Sequence, residues 1–314
     1  MRAAIGADLG GTKMAIGVVD SDLNVLHRGT EPTIGLELDE LLDTLEAELR
    51  EALDAWPEAP AVGLGIPCTI DRERGLAITS VNLPIANVPL RDLMSERLGL
   101  PVFIDNDANM AALAEHRFGA GKGTRNLVLL TIGTGIGGGL VLEGELYRGS
   151  TGAGAELGHM VIDENGPRCQ GNCPNHGCVE ALASGTALGR AGRIAAEAHP
   201  DSALGKALAR GEEITGRTVT LAALAGDGIA VEVVAGVGRH LGVALASYAN
   251  IFEPDVIVIG GGAAASGELL LDPARRELRA RALAPMNETR VVAAELGPEA
   301  GMIGSATMAL EESL

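Results

Sequence analysis

Two rhythms of apolar residues alternate along this chain: short runs that end in glycine, and longer stretches spaced as one face of a helix. The run from Arg2 to Asp8 ends at Gly10–Gly11, and Met14 to Val19 follows, which predicts strand, tight turn, strand. From Glu37 to Leu53, Leu38, Leu41, Leu42, Leu45, Leu49 and Leu53 recur at helical spacing with acids between them. Pro57 and Pro60 end that helix. Ala61–Ile66 and Pro101–Ile104 predict buried strands, and Asn106-Asp107 opens a helical pattern running to about Phe118. The strand–glycine–strand unit then recurs: Asn126–Ile132, the glycines of 133–139, and Leu140–Leu142. A long helix over Ala230–Phe252 leads into a strand, Val256–Ile259, that ends in Gly260-Gly261-Gly262. A last helix covers Gly301–Glu311.

Strands alternating with helices predict an α/β chain with mixed sheets, and the length favours two domains. The glycine-rich, charged stretch Gly119–Arg125 suits a hinge. The expected division is a smaller lobe over 1–118, completed by the C-terminal helix at about 300–314, and a larger lobe over 119–299, with ligands in the cleft between them.

Composition narrows the functions open to such a chain. Aromatic residues make up 2% of it, which disfavours stacking platforms for sugars or single-stranded nucleic acid. The net charge of −18 disfavours nucleic acid and anionic membranes as partners, so an anionic ligand needs a local site that overrides the global field. The N-terminus carries no apolar leader, and no uninterrupted apolar stretch has spanning length, so the expected location is the cytoplasm.

Glycine turns at strand ends supply such local sites, because backbone N–H groups can approach phosphate oxygens where side chains are missing. In Asp8-Leu9-Gly10-Gly11-Thr12-Lys13, Thr12 and Lys13 add a hydroxyl and a cation, and Asp8 could hold a water of a Mg²⁺ shell. The Gly-Lys-Ser/Thr ending of a Walker loop is absent, and the turn leads into a strand where a Rossmann fingerprint would open a helix. Gly133-Thr134-Gly135 and Gly260-Gly261-Gly262 repeat the design, which favours one shared nucleotide site over three unrelated hairpins.

The other candidate chemistry is acidic and thiol. Asp105-Asn106-Asp107 lies between a core strand and a helix, where an aspartate either caps the helix or accepts the proton of an attacking hydroxyl. Glu156, His159 and Glu180 add polar groups near Cys169-x3-Cys173-x4-Cys178. Three thiols and one imidazole suit a structural, tetrahedral Zn²⁺. His159 and His176 both lie within reach of the role, and Cys68 stands apart as a packing residue.

Taken together these segments resemble the ROK family of sugar kinases, and its bacterial glucokinase branch most closely. DLGGTK at 8–13, NLP at 82–84, DNDANMAALAE at 105–115, TIGTGIGGG at 131–139, GAELGHM at 154–160 and GCVE at 177–180 carry the resemblance across the whole chain. It implies the two-lobed actin/hexokinase-like (ribonuclease H-like) ATPase fold and transfer of phosphate from ATP, with Mg²⁺, to the 6-hydroxyl of glucose. It implies Asp107 as the base and Asn82, Asn106, Asp107, Glu156, His159 and Glu180 as sugar contacts. Asp8, Gly10, Gly11, Thr12, Lys13, Thr134, Gly135, Gly261 and Gly262 would hold the nucleotide. His159 rather than His176 would join Cys169, Cys173 and Cys178 around zinc, and a homodimer or homotetramer is implied. The chain departs from the family pattern in three places: the wide Cys169–Cys173 spacing, Cys68 after Gly65-Ile66-Pro67, and Ile85-Ala86-Asn87 where a tryptophan is usual. The last bears on the sugar, which leaves fructose, mannose and N-acetyl-hexosamines as alternatives. ROK repressors carry a helix-turn-helix ahead of the first glycine turn; here that turn begins at residue 8.

Overall fold

The computed structural model describes residues 2–313. In chain order its elements begin β1 (Ala3–Leu9), β2 (Lys13–Asp20), β3 (Val25–Pro32), α1 (Leu38–Ala55), β4 (Val62–Ile66), β5 (Cys68–Asp71), β6 (Leu76–Ser80), β7 (Ala86–Val88), α2 (Leu90–Leu98), β8 (Val102–Asn106) and α3 (Asp107–Arg117). They continue with β9 (Leu127–Ile132), β10 (Ile136–Leu142), β11 (Glu145–Leu146), α4 (Val179–Ala183), α5 (Gly185–Ala198), α6 (Ala203–Ala209), α7 (Gly216–Leu224) and α8 (Gly228–Phe252). Last come β12 (Val256–Gly260), α9 (Glu268–Arg281), β13 (Arg290–Ala293) and α10 (Ala300–Glu312).

Two compact units result. One holds the chain through Gly123, then Gly139–Ala155, then Glu295 onward; the other holds Thr124–Gly138 and Glu156–Ala294. The division expected near residue 118 thus falls after Gly123, and a segment placed by sequence in the second lobe, 139–155, lies in the first unit.

The first unit is built on the sheet β3-β2-β1-β4-β8, in which β1 and β2 form an antiparallel hairpin and β1, β4 and β8 run parallel. One face is covered by the leucines of α1, with Leu41, Leu42, Leu45 and Leu49 all buried. Across the other lies α10, against β1 and β4. That helix comes so close that a methyl group on Gly6 would sit 2.5 Å from the Ala306 nitrogen, and one on Gly65 2.9 Å from the Ser305 hydroxyl. A small antiparallel sheet, β5-β6-β7, branches from the end of β4.

Glu115, near the end of α3, is fully buried. Its carboxylate accepts hydrogen bonds from the backbone N–H groups of Ala120 (2.9 Å), Glu295 (3.2 Å) and Leu296 (2.8 Å). A buried carboxylate is tolerable only when hydrogen-bonded, and these three donors anchor both the segment that leaves the unit and the one that returns to it.

The second sheet has the order β11-β10-β9-β12-β13, with β9, β12 and β13 parallel. Its strands β9 and β12 are almost wholly buried, which explains their unbroken apolar runs. Long, apolar α8 packs along α9 and against α4, α5 and α7. By length and hydropathy alone α8 could cross a membrane, yet half of its most apolar window is buried within this unit.

Candidate functional site

In the first unit the candidate residues gather at the C-terminal ends of β1, β4 and β8. The first glycine turn is closed by the Gly10 N–H on the Lys13 carbonyl at 2.9 Å. Thr33, buried beneath it, donates its hydroxyl to the Gly10 carbonyl (2.8 Å) and its N–H to the Thr12 carbonyl (3.1 Å). Thr12 and Lys13 stay exposed. A Cβ on Gly11 would lie 2.6 Å from that of Asn82, so the absent side chain lets the turn abut the Asn82 segment. Ser80 shapes that segment: its hydroxyl donates to the Pro67 carbonyl at 2.8 Å and accepts from the N–H groups of Asn82 and Leu83.

The three residues Asp105, Asn106 and Asp107 take three separate jobs. Asn106 is the N-cap of α3, accepting from the N–H groups of Ala108 (2.9 Å) and Asn109 (3.3 Å). Asp105 is buried and structural. It accepts from the Asn109 amide (2.9 Å), and Arg148 Nε stands 2.5 Å from it, with Arg72 Nε at 3.8 Å. Both guanidiniums also face Glu312 at the end of α10. Asp107, half-buried at the first position of α3, accepts a hydrogen bond from the Ala108 N–H at 2.9 Å through one carboxylate oxygen.

Asp8 faces the start of α10, where a methyl on Gly301 would stand 2.5 Å from the Asp8 carboxyl carbon. Burial first, and then the negative charge of Asp107, raise the Asp8 pKa to about 7, against the pull of Lys13. Two carboxylates that disfavour each other's charge make a place where a cation would be stabilised. Cys68 is buried, with its thiol pushed up to about 12, first by that burial; it packs, as expected.

In the second unit the other two glycine turns lie side by side. Gly261, at φ 84°, would bring a Cβ within 2.5 Å of the Ile132 backbone, so only glycine fits where the third turn passes the end of β9. The second turn is held from behind. Gly185 N–H donates to the Gly133 carbonyl (2.8 Å), while the Gln170 amide (2.8 Å) and the Thr186 hydroxyl (2.9 Å) both donate to the Thr134 carbonyl.

His159, Cys169, Cys173 and Cys178 converge, with one donor atom of each lying within 4.8 Å of all the others. A Cys169 N–H to Asn175 carbonyl bond (3.0 Å) and a bridge between Arg168 and His176 make the loop a small hairpin. The wide Cys169–Cys173 spacing therefore does not prevent convergence. His176 is exposed on that hairpin and lies outside the cluster. Three thiols and an imidazole at this separation fit a tetrahedral zinc with bonds of about 2.0–2.3 Å. His159 turns Nδ1 toward Cys169 Sγ (3.8 Å) and Nε2 toward Glu156 (3.9 Å). Glu180, buried on α4, accepts from the Ile136 N–H at 2.8 Å and from Cys169 Sγ at 3.3 Å, so it joins the thiol cluster to the second glycine turn.

Sequence reasoning missed Thr33, Arg72, Arg148, Glu115 and Thr186, each bonded to a residue far away along the chain, and Ser80, which holds the nearby Pro67, Asn82 and Leu83. Gln170 carried one faint signal, its place inside the lengthened cysteine spacing.

Known proteins resemble this chain over nearly its full length. Glucokinase from Thermotoga maritima is 40% identical over 98% of this chain and 97% of its own length. Glucokinase from Streptomyces coelicolor is 38% identical over 99% and 98%. Among solved structures, a ROK family glucokinase from Streptomyces griseus, in complex with glucose and AMPPNP, superposes with a TM-score of 0.86 at 36% identity, covering 98% of this chain and 99% of that one. A ROK family transcriptional regulator gives 0.88 at 29% identity, but the match covers 79% of that longer chain. The class these matches define is the α/β sugar-kinase fold. The chain belongs to the ROK family, whose model matches residues 4–312.

Proposed function

We propose that this protein is a glucokinase, transferring the γ-phosphoryl group of ATP to the 6-hydroxyl of glucose. The observation that supports the reading is the division of labour at the start of α3: Asn106 caps the helix and arginines pair with Asp105, and Asp107, at the first position of the helix, is assigned as the base. In the reaction the glucose O6–H bond breaks and its proton passes to the Asp107 carboxylate. The O6–P bond forms as the bond from γ-phosphorus to the β-bridging oxygen breaks, and ADP leaves. A positioned base contributes roughly 10²–10⁴-fold; alignment and charge neutralisation supply the rest.

Asn82, Asn106, Glu156, His159 and Glu180 are assigned to the sugar hydroxyls. The three glycine turns are assigned to the nucleotide: Gly10, Gly11, Thr12 and Lys13; Thr134 and Gly135; Gly261 and Gly262. Mg²⁺, when bound, supplies neutralisation of phosphate charge, and Asp8 is the residue placed to hold one of its waters. His159, Cys169, Cys173 and Cys178 would hold zinc, which would stiffen the loop leading into α4, the helix that carries Glu180. A cytoplasmic homodimer or homotetramer completes the reading.

Asp107→Asn tests it. The variant is expected to lose at least about 10²-fold in turnover while still binding glucose by calorimetry, and near-normal turnover would reject the assignment. A panel of hexoses read by coupled ADP release separates glucose from fructose, mannose and N-acetyl-hexosamines.

A further inference from the structure

We propose that Gln170 is a positioning residue for the nucleotide turn: from within the lengthened Cys169–Cys173 loop it sets which way the peptide between Thr134 and Gly135 faces. The inference rests on the reading above that this turn holds phosphate.

The Thr134 carbonyl receives two side-chain donors, the Gln170 amide at 2.8 Å and the Thr186 hydroxyl at 2.9 Å. A carbonyl has two lone pairs, so these donors saturate it. The peptide unit is planar and trans, so the N–H of Gly135 points opposite to the Thr134 carbonyl. One residue earlier, the Gly185 N–H holds the Gly133 carbonyl at 2.8 Å and fixes the Thr134 N–H in the same manner. Successive N–H groups aimed by their carbonyls form an anion-binding concavity. The turn itself is exposed at Gly133 and Thr134, and its glycines impose little restraint of their own. Within the turn the Gly133 N–H donates to the Gly135 carbonyl (2.9 Å); the Thr134 carbonyl is aimed by donors outside the turn, and Gln170 supplies one of the two. Because Gln170 follows Cys169 directly, the thiol cluster that fixes the loop also fixes this donor.

Three variants of the full-length protein test this: Gln170→Ala, Gln170→Glu and Thr186→Val. Gln170→Glu keeps the size and removes the donor. Gln170→Ala and Thr186→Val are each expected to raise KM for ATP about threefold to tenfold, the range set by one neutral hydrogen bond, and Gln170→Glu, which also adds a negative charge, by at least as much. KM for glucose should change by less than about twofold. Hydrogen exchange of the amides in 131–139 should quicken in each variant, with the metal content per chain unchanged. An unchanged KM for ATP in Gln170→Ala, equal rises in both KM values, or a Gln170→Glu variant that behaves as wild type would each overturn the proposal. In the unsubstituted protein, AMPPNP should protect 131–139 from exchange. No protection would remove the nucleotide reading of the turn and this proposal with it, whereas protection beside an unchanged KM would remove this proposal alone.

Discussion

Asp8 shows how a single residue can be placed against the interest of stability. Its folded pKa of about 7 lies above the ordinary 3.8 because burial, and then Asp107, penalise its charge. Between those values the folded chain keeps a proton that the unfolded chain has released. This group's contribution to stability therefore falls as pH rises from about 4 through about 7. Asp8→Asn removes that cost and also removes the carboxylate assigned to the Mg²⁺ shell. Without nucleotide, the variant is expected to melt higher than wild type at pH 8, with a smaller advantage at pH 5.5, and to lose phosphorylation. Thermal scans at the two pH values check this, and an equal difference at both would count against the raised pKa. Asp105 lies two positions from Asp107, yet Arg148 and Arg72 hold it as a structural anion. No local pattern distinguishes these two acids; only the fold brings in the arginines.

At the scale of elements, glycine serves two ends that one experiment can separate. Gly63 and Gly304 are packing glycines. A methyl on Gly63 would lie 1.9 Å from the Ser305 carbonyl oxygen, and one on Gly304 1.8 Å from that of Met110. Either change to alanine must push α10 off the sheet or off α3, and a loss of roughly 1–3 kcal/mol or more is expected in urea unfolding. A methyl on Gly262, by contrast, would meet no described protein atom within 4 Å, and the φ of this residue is not in the left-handed range. Gly262→Ala should leave the melting temperature nearly unchanged and, with this space assigned to the nucleotide, raise KM for ATP; an unchanged KM would remove Gly262 from that assignment. The sequence made the turn glycines visible because they cluster at the ends of apolar runs. It hid the packing glycines, whose partners, Ser305 for Gly63 and Met110 for Gly304, lie far away along the chain. The same physics explains which elements were legible. Strands β1, β4, β8, β9 and β12 and helices α1, α3, α8 and α10 announce themselves by unbroken apolar runs or clear periodicity. The short strands β5–β7 are too brief for alternation to show, and helices α5–α7 went unread although α5 carries as clear an amphipathic stripe as α1. The thiol cluster was legible because cysteine and histidine are scarce enough for spacing to carry meaning.

The whole molecule carries a net charge of −18, from 24 basic and 42 acidic residues. Ion pairs such as Arg148–Asp105 and Arg117–Glu311 use acids and bases in equal number, so pairing cannot absorb the excess. That excess repels itself more in the compact state than in the expanded chain. Raising ionic strength from about 0.01 M to about 0.15 M shortens the Debye length from about 30 Å to about 8 Å. Repulsion across the surface then fades, while short, half-buried pairs are screened less. Two effects of opposite sign therefore compete, and the long-range one should win here, because it sums over all the unmatched acids, whereas each pair acts at close range, where salt screens least. The melting temperature of the nucleotide-free protein is thus expected to rise steadily with sodium chloride over this range. A fall would mean that ion pairs at the ends of α3 and α10, where Arg117, Arg148, Glu311 and Glu312 meet, govern stability. In that case Arg117→Ala should abolish the salt dependence, whereas under self-repulsion it should steepen it by adding one more uncompensated negative charge.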